Sequence, residues 1–200
     1  EIIEKLGLCS EQESKVQFTM ADRKMNAVVS TSAGRLFDAV SAILGIRKRS
    51  GFEGEASTAL QFAAETYKEQ KHLHREDGSV HQLVYENDGR LILDTQTLVQ
   101  QIVEEKLQGA DSNQLAYLFH QELAEQITAA CVEARKVSGR KKAALSGGVF
   151  QNRLLLRMTE NRLMEEGFEV LRHCMIPPND GGIAIGQAAY GMYQLQNRRI

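Results

Sequence analysis

Tryptophan is absent from this 200-residue sequence, and only two prolines and three cysteines occur in it. The cysteines, Cys9, Cys131 and Cys174, are widely spaced and form no CxxC pair. This argues against a disulfide framework or a structural zinc site and is typical of a reducing, cytoplasmic location. Acidic and basic residues nearly cancel, at 26 against 24, so charge gives no reason to expect nucleic acid or a membrane surface as a partner. The sequence has no signal peptide and no apolar run long enough to span a bilayer.

The residues that are present suffice for one hydrophobic core, since 42% of the sequence is hydrophobic. We expect a single domain over residues 1–200, with a helical lead-in at about residues 1–25 and the main body at 26–197. The sequence begins without Met in a charged stretch, which suggests a piece of a longer protein.

Hydrophobic periodicity predicts a chain of helices with two short pairs of strands. The helices are expected at about residues 34–44, 55–71, 95–107, 112–137, 152–166 and 181–196. Extended runs at 81–85 and 90–93 flank an Asp-Gly pair and predict a β-hairpin. Strands at 143–145 and 168–171 alternate with the last helices, which predicts a parallel pair and an α/β fold.

Two glycine-containing turns follow the two C-terminal strands. The run SGGVFQN at residues 146–152 leads from a strand into a helix, and PPNDGG at 177–182 does the same after the next strand. A helix N-terminus presents free backbone N–H groups, which favour an anion or a nucleotide. Because parallel strands end at the same edge of a sheet, we expect both turns to form one site.

Five motifs occur in a recognisable order: SAGRLFDAVSAILG at 32–45, FEGEA at 52–56, FH at 119–120, SGGVFQN at 146–152 and PPNDGGIAIGQ at 177–187. Together they resemble the C-terminal part of the HypF family of hydrogenase-maturation carbamoyltransferases, over about residues 26–193. The resemblance implies an actin-like lobe of the ASKHA, ribonuclease H-like class, with a partly parallel sheet flanked by helices. It would form the second half of an incomplete Kae1-like domain.

The resemblance also implies a reaction. Such enzymes use ATP and carbamoyl phosphate to make a carbamoyl adenylate. The carbamoyl group then passes to the C-terminal cysteine of a partner, HypE, on the way to the cyanide ligands of a nickel–iron centre. The acceptor thiol belongs to the partner, and we expect this chain to be inactive alone.

The family's site residues fall on identifiable positions here. The resemblance implies that the nucleotide contacts are Ser146, Gly147, Gly148 and Asn152. Glycines allow close backbone approach and positive φ, and an asparagine amide both donates and accepts hydrogen bonds.

The same resemblance implies that Asp180 is one ligand of a divalent metal that holds the phosphates, and a carboxylate suits such a cation. The other ligands would be two histidines of an HxxxH element outside this chain, and the identity of the metal stays open. The implied ribose side is formed by Gly34, Asp38 and Glu55.

Several positions have an alternative interpretation. Asp38 would equally suit a solvent-facing helix position, and Glu53 is placed as well as Glu55. Asp180 would also serve as a helix cap. The pattern favours a packed, non-catalytic role for His120.

The remaining histidines have structural interpretations that we prefer to chemical ones. His72, His74 and His81 are interpreted as surface residues rather than a metal patch. His173 and Cys174 are expected to line the wall of the site.

Two other functions stay open. The first is O-carbamoyl transfer to a small-molecule hydroxyl group. The second is a non-catalytic nucleotide-binding or docking module. If this is one lobe of a two-lobe domain, its exposed apolar surface predicts self-association.

Overall fold

A computed structural model describes residues 2–71, 84–87 and 89–197. The α-helices are α1 (Ile2–Lys5), α2 (Glu11–Asp22), α3 (Ala33–Ile43), α4 (Glu55–Lys71), α5 (Thr95–Leu107), α6 (Ser112–Ser138), α7 (Arg153–Glu165) and α8 (Ile183–Asn197). The strands are β1 (Val84–Asn87), β2 (Arg90–Leu93), β3 (Lys142–Leu145) and β4 (Glu169–Arg172). Single 3₁₀ turns at Gly148–Gln151 and Asp180–Gly182 precede α7 and α8.

Side-chain caps fix where the central helices begin. Asp94 accepts a hydrogen bond from the backbone N–H of Thr97 at the start of α5, and Asp111 caps α6 in the same way. Asn152 caps α7 by accepting from the N–H of Leu155. Each cap satisfies a backbone donor that has no partner inside the helix. The predicted start of each of these helices is confirmed to within one residue.

The core lies where α3, α4, α5 and α7 surround the long helix α6. Its fully buried side chains include Phe37, Leu60, Ile102, Phe119 and Leu155. A second, smaller cluster joins β3 to α7 and is formed by Ala143, Leu145, Leu163 and Phe168. Each of the predicted helices from α3 to α7 therefore buries one face, although Val137, which continues the apolar spacing at the end of α6, is 93% exposed.

Two small sheets complete the described fold. Strands β1 and β2 pair antiparallel, with Asn87 opposite Arg90. Strands β3 and β4 pair parallel, with Lys142 opposite Glu169 and Leu145 opposite Arg172. This confirms an α/β arrangement with a small parallel sheet, in which β4 begins one residue later than predicted. Residues 81–83 of the predicted hairpin lie outside the described residues.

Both ends of the described chain lie outside the core. From Ile2 to Leu36, and again from Leu171 to Asn197, no side chain is buried. In α8 the large apolar residues Ile183, Ile185, Tyr190, Met192, Tyr193 and Leu195 are all exposed. In the described part of the chain, no helix has both the length and the apolar character needed to cross a membrane.

Candidate nucleotide site

The loop after β3 has a backbone that only glycine adopts readily. Gly147 has φ +96° and ψ 161°, a region essentially closed to residues with a side chain. A Cβ atom built on Gly147 or Gly148 would meet no other atom within 4 Å, so open space borders both glycines. The expected positive φ is confirmed at Gly147 but not at Gly148, which begins the 3₁₀ turn instead.

Asn152 joins this loop to the core of the protein. Its Oδ1 accepts a hydrogen bond from the N–H of Leu155 at 3.0 Å. Its Nδ2 lies 2.8 Å from Nε2 of His120, a residue 32 positions earlier on α6. Asn152 is half-buried, so part of the residue stays accessible to solvent. Its predicted contact with a nucleotide stays a prediction.

His120 is completely buried between aromatic rings. The rings of Phe37 and Phe119 lie edge-on to it, with centroids 5.3 Å and 5.7 Å away. Nδ1 lies 2.7 Å from the carbonyl oxygen of Ala116. Burial lowers the pKa of His120 to about 4, and the hydrogen bond to Ala116 opposes this only in part. The ring is therefore neutral at pH 7, which confirms a packed histidine.

The parallel strands β3 and β4 end at one edge of their sheet. Ser146 follows β3 and His173 follows β4, and Oγ of Ser146 lies 2.8 Å from Nε2 of His173. Both side chains are exposed. The expectation that the two strands end at one edge is confirmed, whereas a single site formed by residues 146–152 and 177–182 stays a prediction. His173 thus lies beside the first residue of the predicted nucleotide loop.

The turn that carries Asp180 has a defined internal geometry. Asn179, not Asp180, caps the 3₁₀ turn Asp180–Gly182, because its side chain accepts a hydrogen bond from the N–H of Gly181 at 3.1 Å. Gly182 approaches the chain closely, and a Cβ there would lie 2.7 Å from the carbonyl oxygen of Pro177. Asp180 itself is exposed, and its carboxylate makes no hydrogen bond or ion pair with the described residues.

The donor set of a metal centre is incomplete in the described ranges 2–71, 84–87 and 89–197. They contain no group of three His, Cys, Asp or Glu side chains able to hold a metal ion. Asp180 is of the right ligand type for a hard cation but stands alone. His72, His74 and His81, interpreted above as surface residues, lie outside the described residues.

The predicted ribose-side residues fall on two elements. Gly34 and Asp38 lie exposed on the outer face of α3. Glu55 begins α4, where its carboxylate accepts from the N–H of Gly51 and pairs with Arg47 at 3.1 Å. Glu55 therefore closes the 51–54 loop, whereas Glu53 is exposed. No contact of these residues with a nucleotide is tested, so their role stays a prediction.

A cavity of about 360 Å³ lies beside β3, between α6 and the 3₁₀ turn. Its walls are mainly apolar and include Leu123, Cys131, Leu145, Phe150 and Phe168. None of the eight predicted site residues lines it. Burial raises the pKa of the Cys131 thiol, so this cysteine is not a ready nucleophile. Arg135, Arg140 and Lys142 also line it, but its mainly apolar walls suit phosphate groups poorly, and the nucleotide site stays predicted at the sheet edge.

Comparison with known proteins decides the family. A family profile described as "Carbamoyltransferase, Kae1-like Domain, second subdomain" matches residues 1–187. The chain belongs to the HypF carbamoyltransferase family. It is 37% identical over 183 residues to the carbamoyltransferase HypF of Rhodobacter capsulatus, which covers 89% of this chain and 22% of that protein. It is 28% identical over 197 residues to the probable carbamoyltransferase HypF of Methanocaldococcus jannaschii, covering 98% of this chain and 24% of that protein.

A solved HypF structure has the same fold. The crystal structure of full-length HypF in the phosphate- and nucleotide-bound form matches 98% of this chain with a TM-score of 0.83 and 30% identity. The match covers 25% of that chain. The sequence described here therefore spans about a quarter of the length of its HypF relatives.

Sequence reasoning missed two partners of the HypF-like site residues. It did not place His120 against Asn152, although the FH pair was noted, because a contact across 32 positions leaves no local pattern. It also missed the pairing of Arg47 with Glu55. A signal for His120 was present: a polar ring in the apolar stripe of a long helix needs a polar partner once it is buried.

Proposed function

We propose that this chain is the nucleotide-holding part of a HypF carbamoyltransferase. It binds the adenosine part of ATP, and later of the carbamoyl adenylate, at residues 146–152. The observation that carries this proposal is the loop itself, with Gly147 in a glycine-only conformation, open space beside it and a capped helix directly after it. A matching full-length HypF is described as phosphate- and nucleotide-bound, which supports the same assignment.

In the whole protein the proposed reaction is carbamoyl transfer in nickel–iron hydrogenase maturation. Carbamoyl phosphate supplies the carbamoyl group and ATP supplies the adenylate. The C-terminal cysteine thiol of HypE accepts the carbamoyl group. The four proposed nucleotide contacts are Ser146, Gly147, Gly148 and Asn152. They contribute backbone N–H groups, a hydroxyl and an amide, which suit binding and orientation rather than nucleophilic attack.

Asp180 is proposed to contribute one ligand to a divalent metal in the complete protein. Its carboxylate is exposed and has no hydrogen bond or ion pair with the described residues, so it is available to a cation. The remaining ligands would come from elsewhere in the protein. When bound, such a metal would neutralise charge on the phosphates.

The finer architecture belongs to the same proposal. Residues 1–200 would form one domain, the actin-like second lobe of a Kae1-like domain. The exposed apolar side chains of α8 would then face another part of the protein. When that other part of the protein is absent, we expect the isolated chain to self-associate. Light scattering that reports a monomer at every concentration would contradict this.

Calorimetric titration of the chain with ATP and with AMP tests the site. The informative variant is Asn152→Ser, since serine keeps the N-cap of α7 but removes the amide N–H group. We expect ATP affinity to fall about tenfold or more, as expected for the loss of one or two hydrogen bonds. Gln151→Ala is the matched control, because Gln151 is exposed in the same turn.

The outcomes separate clearly. Binding that is lost in Asn152→Ser and kept in Gln151→Ala supports the loop as the nucleotide site. Equal affinity in both variants and the wild type would place the nucleotide elsewhere. Circular dichroism on each variant checks that helix content is unchanged.

A further inference from the structure

We infer that His120 is a positioning residue for the nucleotide site. Its buried ring fixes the amide of Asn152 in one orientation and packs against Phe37 of α3. This inference rests on the proposed function for its consequence, because Asn152 matters to the reaction only if it binds the nucleotide. The geometry of the pair, however, is testable without any ligand.

The hydrogen bonds determine which ring nitrogen carries the proton. The carbonyl oxygen of Ala116 only accepts hydrogen bonds, so Nδ1 of His120, 2.7 Å away, must donate. In a neutral ring Nε2 then has a lone pair and no proton. It can only accept, and the group 2.8 Å away is Nδ2 of Asn152, a donor. The low pKa of His120 supports this neutral form.

The other end of the Asn152 amide gives the same orientation independently. The N–H of Leu155 points at this side chain and requires an acceptor, which is Oδ1. A flipped amide would oppose Nδ2 to an N–H at one end and Oδ1 to a lone pair at the other. One N–H of Nδ2 and one lone pair of Oδ1 are left for a ligand, in a fixed direction.

His120 also links the two halves of the proposed site. Phe37, whose ring lies edge-on to His120, occupies α3 between Gly34 and Asp38. The imidazole therefore packs against Phe37 of α3 and contacts the loop through Nε2. A change at this one position should alter the loop without touching any residue exposed to the nucleotide.

Two substitutions separate the packing of the His120 ring from its role as a hydrogen-bond acceptor. His120→Phe keeps an aromatic ring beside Phe37 and Phe119 but has no acceptor for Asn152. His120→Gln loses the ring, but its side-chain oxygen can reach the position of Nε2 and accept. The side-chain amide signals of Asn152, followed by ¹⁵N NMR in the unligated chain, report its orientation. ATP titration of the same samples reports the consequence.

We expect the Asn152 amide signals to shift and broaden in His120→Phe and to stay near their wild-type positions in His120→Gln. ATP affinity should fall roughly three- to tenfold in the first variant and be restored by the second, as the loss of one neutral hydrogen bond predicts. Amide signals that follow the loss of the ring instead, or that change in neither variant, would overturn the inference.

The wild-type protein supplies a check that needs no variant to fold. ¹⁵N shifts of the His120 ring at pH 7 should show Nδ1 protonated and Nε2 unprotonated, and a proton on Nε2 would overturn the inference. If the amide depends on His120 but ATP binds Asn152→Ser as it binds the wild type, the positioning role stands. In that case the nucleotide assignment fails.

Discussion

The two turns that follow the parallel strands differ in how they are attached to the core. The loop at 146–152 is attached to the core, because Asn152 contacts His120 on α6 and is followed by the buried Leu154 and Leu155. The turn at 177–182 has its own cap and a close glycine contact, but it packs mainly against α8. From Leu171 to the end of that helix no side chain is buried.

This difference separates what the chain can hold alone from what it cannot. The loop at 146–152 is held by contacts among the described residues of this chain. Among the described residues from Leu171 onward no side chain is buried, so no core contact there fixes the position of Asp180 relative to that loop. If the proposed function is correct, adenosine recognition is a property of this chain, and the metal side of the site depends on the remainder of the protein.

The largest predicted contrast is in stability. Leu155→Ala should lower the free energy of unfolding by about 2–5 kcal/mol, because Leu155 is completely buried beside the Asn152 cap. Leu195→Ala, on α8, should change it by less than about 0.5 kcal/mol, since Leu195 is 75% exposed. Urea unfolding curves measure both, at a protein concentration where light scattering reports a monomer. Similar losses in the two variants would mean that α8 is packed in solution, and the comparison between the two turns would fail.

The second prediction uses the buried histidine of the attached loop. The pKa of His120 falls from 6.5, its usual value, to about 4 on folding, so the unfolded chain binds this proton more readily. The stability that the neutral His120 ring contributes to the fold is therefore fully present above about pH 6.5 and is lost as pH falls to about 4. At about 1.4 kcal/mol for each pH unit, the loss is about 3 kcal/mol.

Urea unfolding at several pH values between 7 and 4 tests this, with His120→Gln as the control that does not titrate. The difference in stability between the two proteins should shrink by about 3 kcal/mol over that range. A constant difference would show that His120 is not a buried neutral ring.

The third prediction contrasts two adjacent glycines in the loop. Gly147→Ala should destabilise the chain by about 1–3 kcal/mol, because its φ of +96° is strained for any side chain. Gly148→Ala should change stability little, since its φ is not positive and no atom lies near its Cβ position. Thermal unfolding distinguishes them.

The same pair tests nucleotide approach. Because Gly148→Ala leaves the unligated fold intact, a fall in ATP affinity would reflect the added methyl group alone. Unchanged affinity would mean that the nucleotide does not approach this glycine closely. Equal destabilisation by both substitutions would contradict the backbone geometry of the loop.

Local signals explain why the sequence predicted the helices of the core so well. The caps Asp94, Asp111 and Asn152 act within three residues of their own helices, and apolar spacing marks the buried faces. Such features depend on neighbours in sequence, so they can be read without the fold. The strand–helix alternation likewise predicted the parallel pair of β3 and β4.

The missed features depend on distant parts of the chain. The contact of His120 with Asn152, and that of Arg47 with Glu55, required the packing of α6 against α7 and the closure of the 51–54 loop. An exposed apolar surface was expected, but its location on α8 was not, because the apolar residues of α8 look like those of a core helix. The periodicity of a helix shows that it has an apolar face, but not which part of the protein covers it.

The smallest predicted effect concerns the unattached turn. Asp180→Ala should leave the free energy of unfolding unchanged within about 0.5 kcal/mol, because the Asp180 carboxylate has no hydrogen bond or ion pair among the described residues. Asn179→Ala, the neighbouring control, should remove the cap and speed amide hydrogen exchange at Gly181 without changing global stability. A cost above about 1 kcal/mol for Asp180→Ala would mean that this chain already holds the carboxylate in place. The turn would then be held by contacts within this chain, as the loop at 146–152 is. Asp180 would be a structural residue rather than one ligand of an incomplete metal site.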